Sequence, residues 1–255
     1  KEAVIGLSGG IDSALVAAIA TEALGRDKVH GVSLPSKYSS DHSLEDAKDL
    51  TNTLGISYEV IPIQACVDEM EHTLKSCFSG HSPNVAEENI QARIRGDILM
   101  ALSNKFGWMV LSTGNKTELA LGYCTLYGDM SGGLSVISDL SKTDVYTLAN
   151  WINSKYPGRI PIGSIKKPPS AELAPNQVDP FDYDIVSPLV DLIIEEGKTA
   201  IQLDKLGIDK ELVSLVYQKI RESEYKRRQA APGLRVSTKA FGIGRRFPIV
   251  NHFKN

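Results

Sequence analysis

The sequence predicts an α/β fold in which a doubly wound parallel sheet carries helices on both faces. Short β-branched runs, typical of buried strands, occur at residues 3–7, 29–34, 58–63 and 108–112. Residues 11–19 and 44–54, which follow the first two runs, have apolar side chains at helical spacing. This alternation of strand and helix favours a parallel sheet with right-handed crossovers, so ligands are expected at the carboxyl ends of the strands.

Two further helices and one long loop are predicted beyond these units. Apolar residues recur at every fourth position from 90 to 102, which predicts a helix over residues 85–104. A second helix is predicted to begin after Asp209, which can cap it. The prolines between residues 164 and 188 predict a loop there, and a loop of that length is disordered or functional. We expect one domain over residues 1–255, with residues 187–255 as a helical C-terminal extension of it.

Composition favours a small-molecule enzyme of the cytoplasm. The 255 residues include 28 Lys plus Arg and 31 Asp plus Glu, and this balance argues against a nucleic-acid or membrane partner. No uninterrupted apolar run approaches the roughly 20 residues that a membrane-spanning helix needs. The three cysteines lack CxxC spacing, which argues against a zinc cluster or a disulfide scaffold and favours a reducing compartment. Because the first residue is Lys1 and not Met, we expect that a start or a preceding domain has been left out.

The turn between the first strand and the first helix has the features of a phosphate-binding loop. It reads SGGIDS over residues 8–13. Gly9 and Gly10 let the backbone approach an anion, Ser8 and Ser13 offer hydroxyl groups, and the helix start adds unpaired N–H groups. The loop differs from a Walker A sequence, which has a Lys after its second glycine, and from the three-glycine dinucleotide fingerprint. The alternative is a tight turn that leads into a capped helix.

Two acidic residues near this loop predict a magnesium site. Asp12 would repel a phosphate unless a cation lay between them, so its position implies Mg2+. Glu118 follows the fourth predicted strand, and the first and fourth strands are expected to flank the point where the strand order reverses. Asp12 and Glu118 can then share one Mg2+ with the phosphates. The alternative is that Glu118 is a solvated acid in the first turn of a helix.

Longer sequence blocks point to a family. The SGGxDS loop resembles the pyrophosphate-binding loop of the ATP-pyrophosphatase superfamily, which has an adenine nucleotide alpha hydrolase-like fold and splits ATP into AMP and pyrophosphate. Six ordered blocks resemble the NAD+ synthetase family, and its glutamine-dependent branch in particular. These are LPSKYSS (34–40), ENIQARIRG (88–96), TGNKTELALGYCTLYGDMSGG (113–133), SDLSKTDVY (138–146), KPPSAEL (167–173) and SEYKRRQAAPG (223–233).

The resemblance implies an activity and its partners. We expect ATP-dependent amidation of deamido-NAD+ to NAD+ through an adenylated intermediate, with Mg2+ as cofactor, ammonia as the nitrogen source, and AMP and pyrophosphate as products. It further implies a homodimer and a glutaminase domain that is missing from this chain or separate from it. Two alternatives are another ATP pyrophosphatase, such as a GMP synthetase-like amide ligase, and a non-catalytic nucleotide-binding module.

The resemblance also implies roles for single residues. Asp12, Lys142 and Asp129 are expected to be catalytic, with Lys142 neutralising a phosphate and Asp129 taking a proton from ammonium. The metal ligands are Asp12 and Glu118. The residues implied for ATP binding are Ser8, Gly9, Gly10, Asp12, Ser13, Thr113, Lys142 and Ser170. Those implied for deamido-NAD+ binding are Arg93, Tyr225 and Lys226.

Three of these residues have simpler alternatives. Lys142 could be an exposed surface lysine, and Asp129 could form a turn with Gly128. Arg93 could be one of the many solvated arginines of helix faces. We expect Cys124 to be structural and not a glutaminase nucleophile, because its sequence neighbours suggest packing.

Overall fold

A computed structural model describes residues 1–175, 177–242 and 244–250, and it contains one parallel sheet. Within these residues the strand order is β3-β2-β1-β4-β5, so β1 is the central strand and the order reverses between β1 and β4. The predicted doubly wound α/β fold is therefore confirmed. The strands are β1 Ala3–Gly6, β2 Val29–Ser33, β3 Ser57–Val60, β4 Met109–Ser112 and β5 Leu134–Ser135.

Helices connect the strands and continue after the last of them. In the part of the chain that the structure describes, none of them is both long and apolar enough to cross a membrane. The helices are α1 Ile11–Leu24, α2 Asp41–Leu54, α3 Gln64–Leu74, α4 Val85–Phe106, α5 Lys116–Leu121, α6 Lys142–Lys155, α7 Ile162–Lys166, α8 Tyr183–Ile194, α9 Ala200–Lys205, α10 Lys210–Glu222 and α11 Glu224–Arg227.

Hydrophobic cores lie on both faces of the sheet, because successive side chains of a strand point to opposite faces. Ala3 and Ile5 of β1 belong to a core that includes buried residues of α1, α2 and α6. Val4, between them, belongs to a second core with residues of α3 and α4. The helices thus cover the two faces as predicted.

The C-terminal helices form a third core beside the sheet. Apolar residues of α8, α9 and α10 pack together and against Ala120 and Leu121 of α5, the helix that follows β4. This packing fixes α5 between the sheet and the C-terminal helices. The extension predicted over residues 187–255 stays a prediction, and its residues 243 and 251–255 lie outside the described part of the chain.

The loop predicted over residues 164–188 is wrong at both ends. Its first residues belong to α7, and its last belong to α8, which contains Pro188. A proline inside a helix costs about 3 kcal/mol, because it removes a backbone hydrogen bond and clashes with the preceding turn. Burial of one large apolar side chain contributes about 1.5–3 kcal/mol. The buried face of α8, which includes Leu189, Val190 and Ile193, therefore outweighs the proline.

The third strand also differs from its prediction. It was expected to be buried over residues 58–63, but β3 ends at Val60 and is an edge strand that pairs with β2. Val60 is 45% exposed. An edge strand is covered less than a central one, and a β-branched run does not by itself distinguish the two positions. The strand β5 was not predicted, because two residues are too few to show a periodicity.

Candidate functional site

The sheet brings the two predicted loops together at the carboxyl ends of its strands. Residues 8–13 follow β1 and residues 113–118 follow β4, and these strands are neighbours with parallel direction. A cavity of about 440 Å³ opens there, a volume typical of ligand sites. Its wall includes most of the predicted site residues, namely Ser8, Gly10, Asp12, Ser13, Thr113, Glu118, Asp129, Lys142, Ser170 and Lys226. Gly9, Arg93 and Tyr225 are not part of this wall.

The loop at residues 8–13 is shaped by its own hydrogen bonds. The Ser13 hydroxyl donates to the carbonyl of Gly10 at 3.1 Å and accepts from the backbone N–H of Ser8 at 3.3 Å. Gly10 is the N-cap residue of α1, and no side chain caps this helix start. The first N–H groups of α1 and its positive dipole end therefore remain available to an anion.

Gly9 fits where no other residue would. Its φ is +75°, which favours glycine, and a Cβ atom there would lie 2.4 Å from the carbonyl oxygen of Ser43 in α2. The loop thus packs directly on the backbone of α2. Gly9 thus contacts α2 and is not part of the cavity wall.

Lys142 is buried between two carboxylates. Its ammonium nitrogen contacts Oδ2 of Asp12 and lies 3.7 Å from Oε1 of Glu118, while the residue is only 2% exposed. Burial lowers the pKa of Lys142, but the charges of Asp12 and Glu118 outweigh this effect and the net shift is upward. The lysine therefore stays protonated, and the alternative of an exposed surface lysine is wrong.

Asn115 connects the two carboxylates, although the sequence interpretation gave it no role. Its Nδ2 donates to Oδ1 of Asp12 at 2.9 Å, and its Oδ1 accepts from the backbone N–H of Glu118 at 3.0 Å. Oε2 of Glu118 in turn accepts from the Asn115 N–H at 3.1 Å, which completes a capping box at the start of α5. The asparagine is fully buried, so these bonds fix both acids relative to each other. The sequence signal for this capping box is an Asn three residues before a Glu.

Asp12 and Glu118 lie close enough for the charge of one to act on the other, which favours a cation between them. Burial first, and then the charge of Asp12, raise the pKa of Glu118 to about 8, while Lys142 opposes the shift. Mg2+ in nucleotide sites is commonly held by one or two carboxylates together with phosphate oxygens and waters. Among the described residues no group of three possible protein ligands exists. Asp12 and Glu118 fit a site that a bound triphosphate would complete.

Asp129 is an acid in the wall of the cavity, and its residue is exposed to the open space there. Its two carboxylate oxygens accept from the backbone N–H of Thr125 at 2.9 and 3.1 Å. The protein around the carboxylate partly desolvates it and raises the pKa of Asp129 to about 6, and the bond from Thr125 and the charge of Lys226 oppose the rise. The residue thus takes part in a turn, as the simpler alternative held, and it also faces the cavity.

Of the three residues implied for dinucleotide binding, one lines the cavity. Lys226 does, and its ammonium donates to the carbonyls of Gly122 and Cys124 at 2.7 Å each. Tyr225 is 43% exposed, and Arg93 is exposed with its Nε donating to the carbonyl of Leu126 at 3.3 Å. Their predicted contact with substrate stays a prediction.

Cys124 is unsuited to nucleophilic catalysis. Burial raises the pKa of its thiol to about 12, so the reactive thiolate is scarce at neutral pH. The expectation of a structural cysteine agrees with this environment.

The proline-rich loop closes one side of the cavity through an acid that was not predicted. Glu172 accepts from the hydroxyls of Ser40 and Ser43 and from the ammonium of Lys167, so it joins the loop to the start of α2. Its φ of +49° is a left-handed conformation that is uncommon for a residue other than glycine. Ser170 also stabilises the loop by donating to the carbonyl of Gln177 at 2.6 Å.

The fold and the site define a protein of the ATP-pyrophosphatase class. A doubly wound sheet, an SGGxDS loop after its central strand and two carboxylates beside a buried lysine occur here in one cavity. The family model described as NAD synthase matches residues 1–230, and the chain belongs to this family.

Individual relatives agree with this assignment. The chain is 52% identical over 259 aligned residues to a glutamine-dependent NAD(+) synthetase of Thermotoga maritima, covering 100% of this chain and 45% of that protein. A solved glutamine-dependent NAD+ synthetase of Acinetobacter baumannii, in complex with ADP, is 42% identical with a TM-score of 0.65, covering 100% of this chain and 47% of that one. An NH3-dependent NAD synthetase of Campylobacter jejuni is 30% identical with a TM-score of 0.72, covering 88% and 86%. The chain spans about half the length of its glutamine-dependent relatives.

The packing of Gly9 leads to a stability prediction. Gly9→Ala should destabilise the protein by about 2–4 kcal/mol, because the left-handed conformation costs about 1 kcal/mol or more and the new Cβ also forces the loop away from Ser43. Gly107→Ala is a matched control, since Gly107 has a φ of +74° and nothing within 4 Å of an added Cβ. Urea unfolding measures both variants. Equal losses of stability would show that contact with α2 does not constrain the loop.

Proposed function

We propose that this chain catalyses the ATP-dependent amidation of deamido-NAD+ to NAD+, through an adenylated intermediate and with release of AMP and pyrophosphate. The observation that carries the proposal is the position of Lys142 between Asp12 and Glu118, next to the SGGxDS loop, in a chain of the NAD synthase family. The names of its relatives support the same reaction over amidation of a GMP precursor and over a non-catalytic nucleotide-binding module.

The first step activates a carboxylate, which is otherwise a poor electrophile. The N–H groups at the start of α1 and the hydroxyls of Ser8 and Ser13 would hold the phosphates of ATP. An oxygen of the nicotinate carboxylate attacks the α-phosphorus, and the bond from that phosphorus to the bridging oxygen breaks as pyrophosphate leaves. Lys142 stays protonated and can stabilise the charge that develops on pyrophosphate.

Asp12 and Glu118 would hold Mg2+ in this step. The ion, when bound, offsets the charge of the triphosphate. The hydrogen bonds of Asn115 keep the two carboxylates in place, so little rearrangement is needed when substrate arrives.

The second step forms the amide. The nitrogen of ammonia attacks the acyl carbon, and the carbon–oxygen bond to AMP breaks. Asp129 would accept a proton as the attacking nitrogen loses it. Lys226 contributes by holding the carbonyls of Gly122 and Cys124, which lie next to the turn that carries Asp129.

The resemblance to the NAD+ synthetase family also supports proposals about partners. We propose that the chain forms a homodimer in the cytoplasm, and that it receives glutamine-derived ammonia from a glutaminase domain. One relative is named glutamine-dependent and another NH3-dependent, so the synthetase half is expected to accept free ammonia.

The nitrogen source provides a direct test. With ATP, Mg2+, deamido-NAD+ and ammonium chloride, the chain should form NAD+ together with equal amounts of AMP and pyrophosphate. Glutamine in place of ammonium should give no product, because the raised pKa of the Cys124 thiol, about 12, leaves little reactive thiolate to attack it. Excess EDTA serves as the metal-free control. Inactivity with ammonium would refute the proposed reaction. Efficient use of glutamine would refute the proposal that a glutaminase domain must supply the ammonia.

The role of Asp129 can be read from a pH profile. Asp129→Asn should lower kcat with ammonium by about 10²–10⁴-fold, the usual contribution of a general base. The carboxylate predominates above its pKa of about 6 and is lost below it. The ratio of wild-type to variant activity should therefore be constant above pH 7 and fall as the pH drops through 6. Taking the ratio cancels the ionisation of ammonium.

The opposite result is equally clear for Asp129. The amide oxygen of asparagine can still accept from the Thr125 N–H, so the turn should survive the substitution. A ratio that does not change between pH 5 and pH 8 would leave Asp129 with a structural role in the turn.

A further inference from the structure

Arg95 brings to the cavity wall a positive charge that the proposed chemistry does not use. In the described part of the chain, the basic residues of the cavity wall are Arg95, Lys142, Lys167 and Lys226. Lys142 and Lys167 each contact a carboxylate, and Lys226 donates to two backbone carbonyls. The charged ends of these three lysines are therefore occupied, which leaves Arg95 as the remaining basic residue of the wall.

Arg95 is held at one nitrogen, and its other nitrogens have no acceptor among the described residues. Its Nε donates to the carbonyl of Leu34 at 2.8 Å. Among residues 1–175, 177–242 and 244–250, no carboxylate forms an ion pair with its guanidinium and no acceptor bonds its two outer nitrogens. Burial lowers the pKa of Arg95 to about 10, with the charge of Glu172 opposing, so the side chain is still a cation at neutral pH.

The phase of helix α4 directs Arg95 into the cavity. Glu88, Ala92, Arg95 and Leu99 all line the wall, and their spacing of three and four residues places them on one face of the helix. Arg93 is two residues away, which is about 200° around a helix of 3.6 residues per turn. The arginine implied by the family resemblance and the arginine that faces the cavity are therefore different residues.

The anchor of Arg95 holds its Nε after β2, the strand next to the one that leads into the phosphate loop. Leu34 follows β2, which pairs with β1, and the loop at residues 8–13 follows β1. Glu118 lies on the other side of this loop, after β4. A partly buried cation that is not in contact with a carboxylate is unfavourable, and an anion bound here would relieve that cost.

We propose that Arg95 is a substrate-binding residue whose outer guanidinium nitrogens bind an anionic group, a phosphate or a carboxylate, of a bound substrate. A guanidinium fixed at Nε presents two parallel N–H groups, which match such an anion bidentately. The inference rests on the proposed function for the identity of the substrates. The anion can come from the triphosphate of ATP or from the pyrophosphate or carboxylate of deamido-NAD+.

Calorimetric titration of ATP with Mg2+, and of deamido-NAD+ separately, distinguishes the two sources without requiring turnover. Arg95→Met should weaken the binding of one ligand by about 10–100-fold, the usual effect of losing hydrogen bonds to a charged group. Arg95→Lys keeps the charge but not the planar fork, so it should restore part of the affinity. Lys105→Met removes a positive charge from an exposed position of the same helix and should leave both affinities within about twofold.

Thermal unfolding of each variant separates binding from folding. If Arg95→Met is unstable because the bond to Leu34 is lost, the Arg95→Lys titration decides the question. Wild-type affinity for both ligands in the folded Arg95 variants would overturn the inference and leave the proposed function intact. A wild-type chain that bound neither ligand would overturn the proposed function, and the role of Arg95 with it.

Discussion

The site depends on one electrostatic constraint, which is that Asp12 and Glu118 must share the buried ammonium of Lys142. These three residues come from the loop after β1, from α5 after β4 and from the first position of α6. The three side chains can meet only if β1 and β4 are neighbours and run parallel, so that their carboxyl ends lie side by side. The strand order, the position of α5 and the capping box of Asn115 all serve this arrangement, so the chemistry and the fold are specified together.

The charges in this cluster do not balance within the protein. If both acids were ionised, two carboxylates and one ammonium would leave a surplus negative charge, and the raised pKa of Glu118 means that a proton removes this surplus near neutral pH until a cation replaces it. A divalent ion with bound phosphates would neutralise both parts of the cluster. The metal would add positive charge near the two acids, and the phosphates would add negative charge near Lys142. The cluster is therefore better suited to a metal–nucleotide complex than to either component by itself. Asp12 belongs both to the phosphate loop and to the predicted magnesium site, so the two predictions describe one site.

Sequence reasoning identified the parts of the structure that have a local signature. The strands β1, β2 and β4, the loop at residues 8–13 and the long helix α4 are marked by periodicity or by glycine chemistry, and their places agree with the prediction. Features that depend on distant partners were missed. Burial of the α8 face outweighs Pro188, the link from Glu172 to Ser43 joins residues 129 apart, and the contact of Asn115 with Asp12 joins residues 103 apart. No window of sequence contains both members of such a pair.

The proposed reaction begins when the nicotinate carboxylate attacks the α-phosphorus of ATP. Deamido-NAD+ labelled with 18O in that carboxylate tests it most directly, because the carbon–oxygen bond broken by ammonia leaves the attacking oxygen on the phosphorus. With ammonium present, mass spectrometry of the products should find one 18O in the phosphate of AMP and none in pyrophosphate. Label in inorganic phosphate, accompanied by ADP, would show attack at the γ-phosphorus and would contradict the account. Unlabelled AMP would show that ATP is split without activating the carboxylate.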